Sequence, residues 1–306
     1  MIERRTFVWH GLEHPAFVAR GAADGPSLSL IGGIHGCEYS SIAAVTKVMN
    51  ELDTGELAGT ITAVPVVSME SFRRRSPFVV PADGKNLNRS FPGSRDGSYT
   101  DVLARSIFED VIAPADALLD LHGGDQVEGL EPFAIYEASP VEERAHAIAV
   151  AFNLPYVVRE ERREGGLRGL TTSAAAEAGI PGVIAEAGGR GLLEAEAVEL
   201  LAGGVRNVLR RLEMLPGEPE PPPTDQRRVG AFIWLRSANE GWWDSAVDAG
   251  DEVAEGQLLG RVRNLWGDAL EDIVSPQDGV ILFVTTSPAV AADGLLLGLG
   301  ADLAPA

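Results

Sequence analysis

Three short apolar runs each end in glycines: LSLIGG at 28–33, DALLDLHGG at 116–124 and PGVIAEAGG at 181–189. Between them lie stretches with apolar residues at helical spacing, among them YSSIAAVTKVMNEL, DVLARSIFEDVI, VEERAHAIAVAFNL and TTSAAAEAG, the last ended by Gly179. Strands alternating with helices predict a mixed, mainly parallel α/β sheet with helices on both faces. In such sheets the reactive side chains gather at the carboxyl ends of strands, which is where the glycine-ended runs stop. A further strand, GTITAVPVV, a long polar loop from Ser68 to about Thr100, and a closing helix, LLEAEAVELLAGGVRNVLRRLEML, complete this part.

The pattern breaks at PGEPEPPPT, residues 216–224. Proline at that density holds neither a helix nor a central strand and reads as a semi-rigid linker. Beyond it come short β-prone runs, GAFIWL, GWWDSAV, GQLLGRV, GVILFVTT and LLLGLG, punctuated by turns such as DAGD and SPQDG. These predict a small C-terminal all-β sandwich or barrel. The expected division is a catalytic α/β domain over 1–214, a linker over 215–226 and a β-domain over 227–306.

Charge and cysteine usage narrow the function classes. The 306 residues carry a formal net charge of −20, so nucleic acid and anionic membrane are poor partners. No run is long and apolar enough to span a bilayer. The N-terminal stretch MIERRTFVWHGLEHPAF lacks the apolar segment of a secretory signal. The single cysteine, Cys37, excludes an intrachain disulfide and agrees with a reducing compartment. A cytoplasmic protein is the expectation.

His35 and Glu38 follow the first glycine-ended run, where a strand gives way to a helix. An imidazole and a carboxylate three residues apart can reach one metal ion. Alone, the pair would equally suit a helix-capping turn. His122 ends the second run; His10 and His14 lie near the N-terminus and His146 within a helix, so they fit less well. His35, Glu38 and His122 together form a two-histidine, one-carboxylate set that leaves a fourth position open, as catalytic zinc requires. Glu186, at the end of the third run, is the candidate general base. The loop SFRRRSPFVVPADGKNLNRSFPG concentrates Arg73, Arg74, Arg75, Asn88 and Arg89 in an acidic chain. Such a cluster either binds a substrate carboxylate through arginine forks or pairs with the protein's own acids.

The ordered set H35-x-x-E38, NLNRSFPG, DLHGGD and AEAGG resembles the succinylglutamate desuccinylase/aspartoacylase family, a branch of the zinc-carboxypeptidase-like superfamily, over roughly residues 28 to 210. The resemblance implies one zinc ion per chain held by His35, Glu38 and His122, with Glu186 activating the water. It further implies that Asn88 and Arg89, with Asn86 nearby, hold a substrate carboxylate and that an upstream arginine polarises the scissile carbonyl. Arg75 is the choice by spacing, with Arg73 and Arg74 close. Cys37 and Asn86 stand where relatives commonly carry other residues.

The C-terminal region resembles the β-sandwich appendage of that family, similar to a biotinyl/lipoyl barrel. No lysine follows Lys85, so the region offers no attachment point for biotin or lipoate. Trp242 and Trp243 are candidates both for substrate contact and for core packing. The expected activity is zinc-dependent hydrolysis of a small N-acyl amino acid or related acylated amine, a deacylase using metal-activated water. A metallocarboxypeptidase acting on short peptides and a non-catalytic ligand-binding member are the rivals. The expected partner is a small molecule carrying a carboxylate; a homo-oligomer is compatible with the chain.

Overall fold

The computed structural model describes residues 1–161 and 169–306. A hairpin of β1 (Ile2–Trp9) and β2 (Leu12–Arg20) leads into β3 (Ala23–Gly32), α1 (Tyr39–Glu51) and β4 (Ala58–Val64). Then come the short α2 (Met69–Arg74), α3 (Tyr99–Ile107), β5 (Ala117–His122), β6 (Glu128–Leu130), β7 (Phe133–Glu137) and α4 (Glu142–Ala151). The part before the prolines closes with β8 (Tyr156–Glu160), α5 (Thr171–Glu177), β9 (Gly182–Glu186) and α6 (Ala195–Arg211).

The three glycine-ended runs become adjacent parallel strands, β3, β5 and β9, flanked by β4. Their side chains alternate between two cores, as the period of two in a strand requires. Leu28 and Leu30 of β3, Leu119 and Leu121 of β5, and Val183 and Ala185 of β9 pack with α1, α4 and α6. Ile31 and Leu118 face the other way, against residues of α3 and α5. Asp120 and His122 therefore share the face of Leu118, and Glu186 shares the face of Ile184. His122 and Glu186 are register partners across β5 and β9, which sets their side chains side by side.

α1 is held by packing. Ala44, Val45, Val48 and Met49 are buried in one core, each of the larger ones worth roughly 1.5–3 kcal/mol. Glu38 occupies the N-cap position yet makes no capping hydrogen bond with its side chain. Its carboxylate is turned elsewhere, which favours a ligand role over the helix-capping alternative.

Beyond the prolines, β10 (Arg227–Arg236) runs parallel to β8, with Arg227 paired to Tyr156, and so extends the large sheet. It is followed by β11 (Gly241–Ser245), β12 (Glu252–Val253), β13 (Leu258–Arg263), β14 (Ala269–Val274), β15 (Gly279–Thr285), β16 (Ala289–Val290) and β17 (Leu295–Pro305). β10, β17, β15 and β12 continue the large sheet, and β14, β13, β11 and β16 form a second one. Trp243, Leu259, Val262, Ile281, Leu297 and Leu299 fill the space between them. The C-terminal region is thus an antiparallel sandwich hydrogen-bonded to the α/β part along β8.

Several elements differ from expectation. The β1–β2 hairpin went unread because β1 is largely exposed and carries Arg4 and Arg5 where an apolar alternation would show. β7 and β8, five residues each, are further strands beyond those predicted. The Ser68–Thr100 stretch contains α2 and a single 3-10 turn, Leu87–Arg89. The closing helix starts at Ala195, leaving Leu192 and Leu193 exposed ahead of it. Among the described residues no helix is long and apolar enough to cross a membrane.

Candidate active site

β3 delivers the chain to Gly33, whose φ of 63° is a left-handed conformation that glycine adopts without strain. Two residues on, His35 turns toward Glu38. Gly36 makes this turn possible, because a Cβ there would lie 2.1 Å from the backbone nitrogen of Phe72. Gly36→Ala is therefore expected to lower stability by about 2 kcal/mol or more, read as a reduced urea midpoint, since helix backbone cannot move aside as a side chain can.

His35 Nδ1 lies 2.6 Å from Glu38 Oε1, and His122 Nδ1 lies 3.0 Å from Glu38 Oε2. The other ring nitrogens meet acceptors: His35 Nε2 donates to Asn86 Oδ1 at 3.1 Å, and His122 Nε2 stands 3.1 Å from Asp120 Oδ2. Those acceptors place the proton on Nε2 of each ring, which leaves both Nδ1 lone pairs facing a carboxylate. Lone pairs converging on carboxylate oxygens repel unless a cation or protons stand between them. Glu38 Oε2 is buried and accepts no hydrogen bond, although His122 Nδ1 stands 3.0 Å away. One donor atom from each of the three residues lies within 4.8 Å of the others. Two imidazole nitrogens and a carboxylate in this arrangement fit a zinc ion.

Electrostatics point the same way. Burial opposes charge on His35, but the Glu38 carboxylate outweighs it and raises the imidazole above its usual range. His122 is likewise opposed by burial and is held well above the usual range by Asp120 and Glu38. For Glu38, burial is overcome by the two histidines, which bring its carboxyl down to about 2. Neighbouring carboxylates thus draw each imidazole toward its charged form, an attraction that a cation between them would share.

α5 ties the surrounding shell together. Thr171 Oγ1 donates to Asp120 Oδ2 at 2.5 Å, and the Thr171 backbone N–H donates to Asn88 Oδ1 at 3.0 Å. The Asn88 backbone N–H in turn donates to Asn86 Oδ1 at 2.8 Å.

These groups open onto a cavity of about 210 Å³. Its polar end is formed by His35, Glu38, His122, Glu186, Asn86, Asn88 and Arg89, together with Glu128 and Glu160. Burial pushes the Glu186 carboxyl well above the usual range, with His122 opposing the shift and Glu38 and Glu128 adding to it. Burial also pushes Glu128 up to about 8, against the hydrogen bond it accepts from the Asp125 backbone N–H. The remaining wall is apolar and largely aromatic.

Arg75 is not brought to this cavity. It caps α2 at a φ of 52° with its side chain exposed, and its carbonyl accepts from Gln126 Nε2 at 3.3 Å. Arg73 and Arg74 are also exposed, and Arg74 pairs with Glu70 at 3.3 Å. Cys37 is fully buried and accepts from Gln126 Nε2 at 3.2 Å; it stands outside the three-residue donor group. Burial, aided by the Asp125 charge, raises its thiol. Neither Trp242 nor Trp243 lines the cavity: Trp243 fills the sandwich core, and Trp242 is exposed with its Nε1 on Asp244. The C-terminal region contributes Phe232, Trp234, Phe283 and Leu295 instead.

Similar proteins have been characterised. A family model described as the succinylglutamate desuccinylase/aspartoacylase catalytic domain matches residues 24–212. The N-alpha-acetyl-L-2,4-diaminobutyric acid deacetylase of Halomonas elongata is 30% identical over 284 residues, 89% of this chain and 81% of that protein. The product-bound structure of the ectoine utilization protein EutE (DoeB) from Ruegeria pomeroyi superposes with a TM-score of 0.86 at 25% identity, covering 98% of this chain and 95% of that one. A succinylglutamate desuccinylase/aspartoacylase structure from Rhodobacter sphaeroides gives a TM-score of 0.85 at 22% identity, covering 100% and 95%.

Proposed function

The chain belongs to the succinylglutamate desuccinylase/aspartoacylase family, and from that premise we propose that it is a zinc-dependent deacylase cleaving the amide bond of a small N-acyl amino acid. The observation that carries this reading is the convergence of His35, Glu38 and His122 on one point, with Glu186 in register beside His122 on the same cavity. The deacetylase activity of the Halomonas relative supports it.

His35, Glu38 and His122 would hold the metal, with Asn86 and Asp120 orienting the two rings. When bound, zinc supplies Lewis acidity toward water and the amide carbonyl. Glu186 removes a proton from the attacking water and returns it to the departing amine, so one carboxylate serves as base and then as acid. Arg89 and Asn88 anchor the substrate carboxylate; both residues line the cavity, and Arg89 Nη1 donates to the Asn88 carbonyl at 2.7 Å. Arg75, which the family resemblance assigns to polarising the scissile carbonyl, has its side chain exposed outside the cavity. It lies three residues before Phe78, which lines the cavity.

The test is hydrolysis of an N-acyl amino acid panel by zinc-loaded and chelator-treated protein, with short peptides as the comparison. Turnover of acyl amino acids that is lost on chelation is expected; cleavage of peptides in preference would make the protein a carboxypeptidase. Arg89→Gln is expected to raise KM about tenfold or more with a smaller change in kcat, because a charged anchor remote from the scissile bond binds ground and transition states alike.

A further inference from the structure

We propose that the substrate carries a bulky apolar group beside the scissile amide, seated on a wall built from Phe133, Phe232, Trp234 and Phe283. This rests on the deacylase reading and names its substrate class. The four rings form a continuous chain. Phe133 and Phe232 have centroids 5.7 Å apart, Phe232 and Trp234 4.5 Å, and Trp234 and Phe283 5.7 Å at 71°. All four line the cavity that holds the metal-binding cluster.

The backbone is arranged to present them. Phe232 and Trp234 alternate with Ile233 and Leu235 on β10, and the latter two pack into the sandwich core. A register shift between Ile281 and Phe283 re-aims Phe283 toward the cavity. Gly298 makes room beneath, since a Cβ there would lie 2.7 Å from Phe232 Cε1 and 3.0 Å from Phe283 Cβ. Trp234 remains 37% exposed, so a ligand seated on the wall would cover apolar ring surface that otherwise faces water.

The cavity is about 210 Å³ in all, shared between its polar end and the aromatic wall. A short anionic side chain placed against the aromatic wall would lose hydration and meet the negative faces of the rings. A cationic one would gain a cation–π contact, so the diaminobutyrate substrate in the test separates an apolar group from a cationic one. The apolar group can belong to the amino acid or to the acyl moiety, and the chemistry of the wall is the same for both.

The experiment compares kcat/KM of zinc-loaded protein on N-acetyl-L-aspartate, N-acetyl-L-2,4-diaminobutyrate, N-acetyl-L-phenylalanine and N-hexanoylglycine. One of the last two should exceed both polar substrates by tenfold or more, and which one does so locates the group on the side chain or on the acyl. Trp234→Ala should cut that preference by about tenfold, whereas loss of a merely structural residue would lower all substrates alike. Equal or better turnover of the polar substrates overturns the proposal. Absence of turnover with all four overturns the deacylase reading instead. The apolar wall is then judged by calorimetry on Glu186→Gln protein, where tenfold tighter binding of either apolar compound than of N-acetyl-L-aspartate supports it and equal or weaker binding refutes it.

Discussion

Glu186→Gln is expected to keep its zinc and lose its turnover, with kcat falling by about a thousandfold or more while KM changes little. General acid–base catalysis by one positioned group contributes ~100- to 10,000-fold, and the proposed mechanism uses Glu186 twice. The substitution preserves shape and removes only the ability to accept a proton. Because Glu186 lies outside the donor group formed by His35, Glu38 and His122, metal content should be unchanged. Elemental analysis and steady-state kinetics on the same preparation separate the outcomes. Loss of metal would make Glu186 a ligand, and kcat within tenfold of the wild type would place the base elsewhere.

The parts of this site legible in the sequence are those that lie on strand ends. His35 and Glu38 follow one glycine-ended run, His122 and Glu186 end the strands of the other two, and regular strands in a parallel sheet bring such ends together. Asp120 was equally legible in principle, since it stands two residues before His122 and must share its face, but an acid inside an apolar run attracts less notice than a histidine. Arg75 was harder to place because its position depends on how an irregular segment turns after α2. The Trp242–Trp243 doublet divides for a simple reason. Neighbouring residues in a strand point to opposite faces, so one went to the core and the other to solvent. The quieter Phe232-x-Trp234 pattern puts two rings on one face, and those rings reach the cavity. Phe283 needed a bulge to get there, and its sequence carries no sign of that irregularity.

His122→Ala should cost zinc affinity far more than the ten- to hundredfold that follows loss of a ligand's hydrogen-bond partner, leaving protein that purifies without metal and without activity. Its effect on zinc-free protein should depend on pH, and the sign follows from the shifts. His35 and His122 are raised above their ordinary range, so their contribution to stability is complete below about pH 6.5 and is lost as pH rises through their folded values. Glu38 is depressed to about 2, so its contribution is present above about pH 4.5 and is lost as pH falls toward 2. The contribution of these three groups to zinc-free wild type should therefore be greatest in mildly acidic solution, where protons occupy the place between the lone pairs. Zinc competes with those protons, so the rise in Tm on adding zinc should be larger at pH 8 than at pH 6. In His122→Ala both the zinc-induced rise and its growth with pH should largely vanish. A rise in Tm as large as that of the wild type would mean that the ion binds somewhere other than between these three side chains.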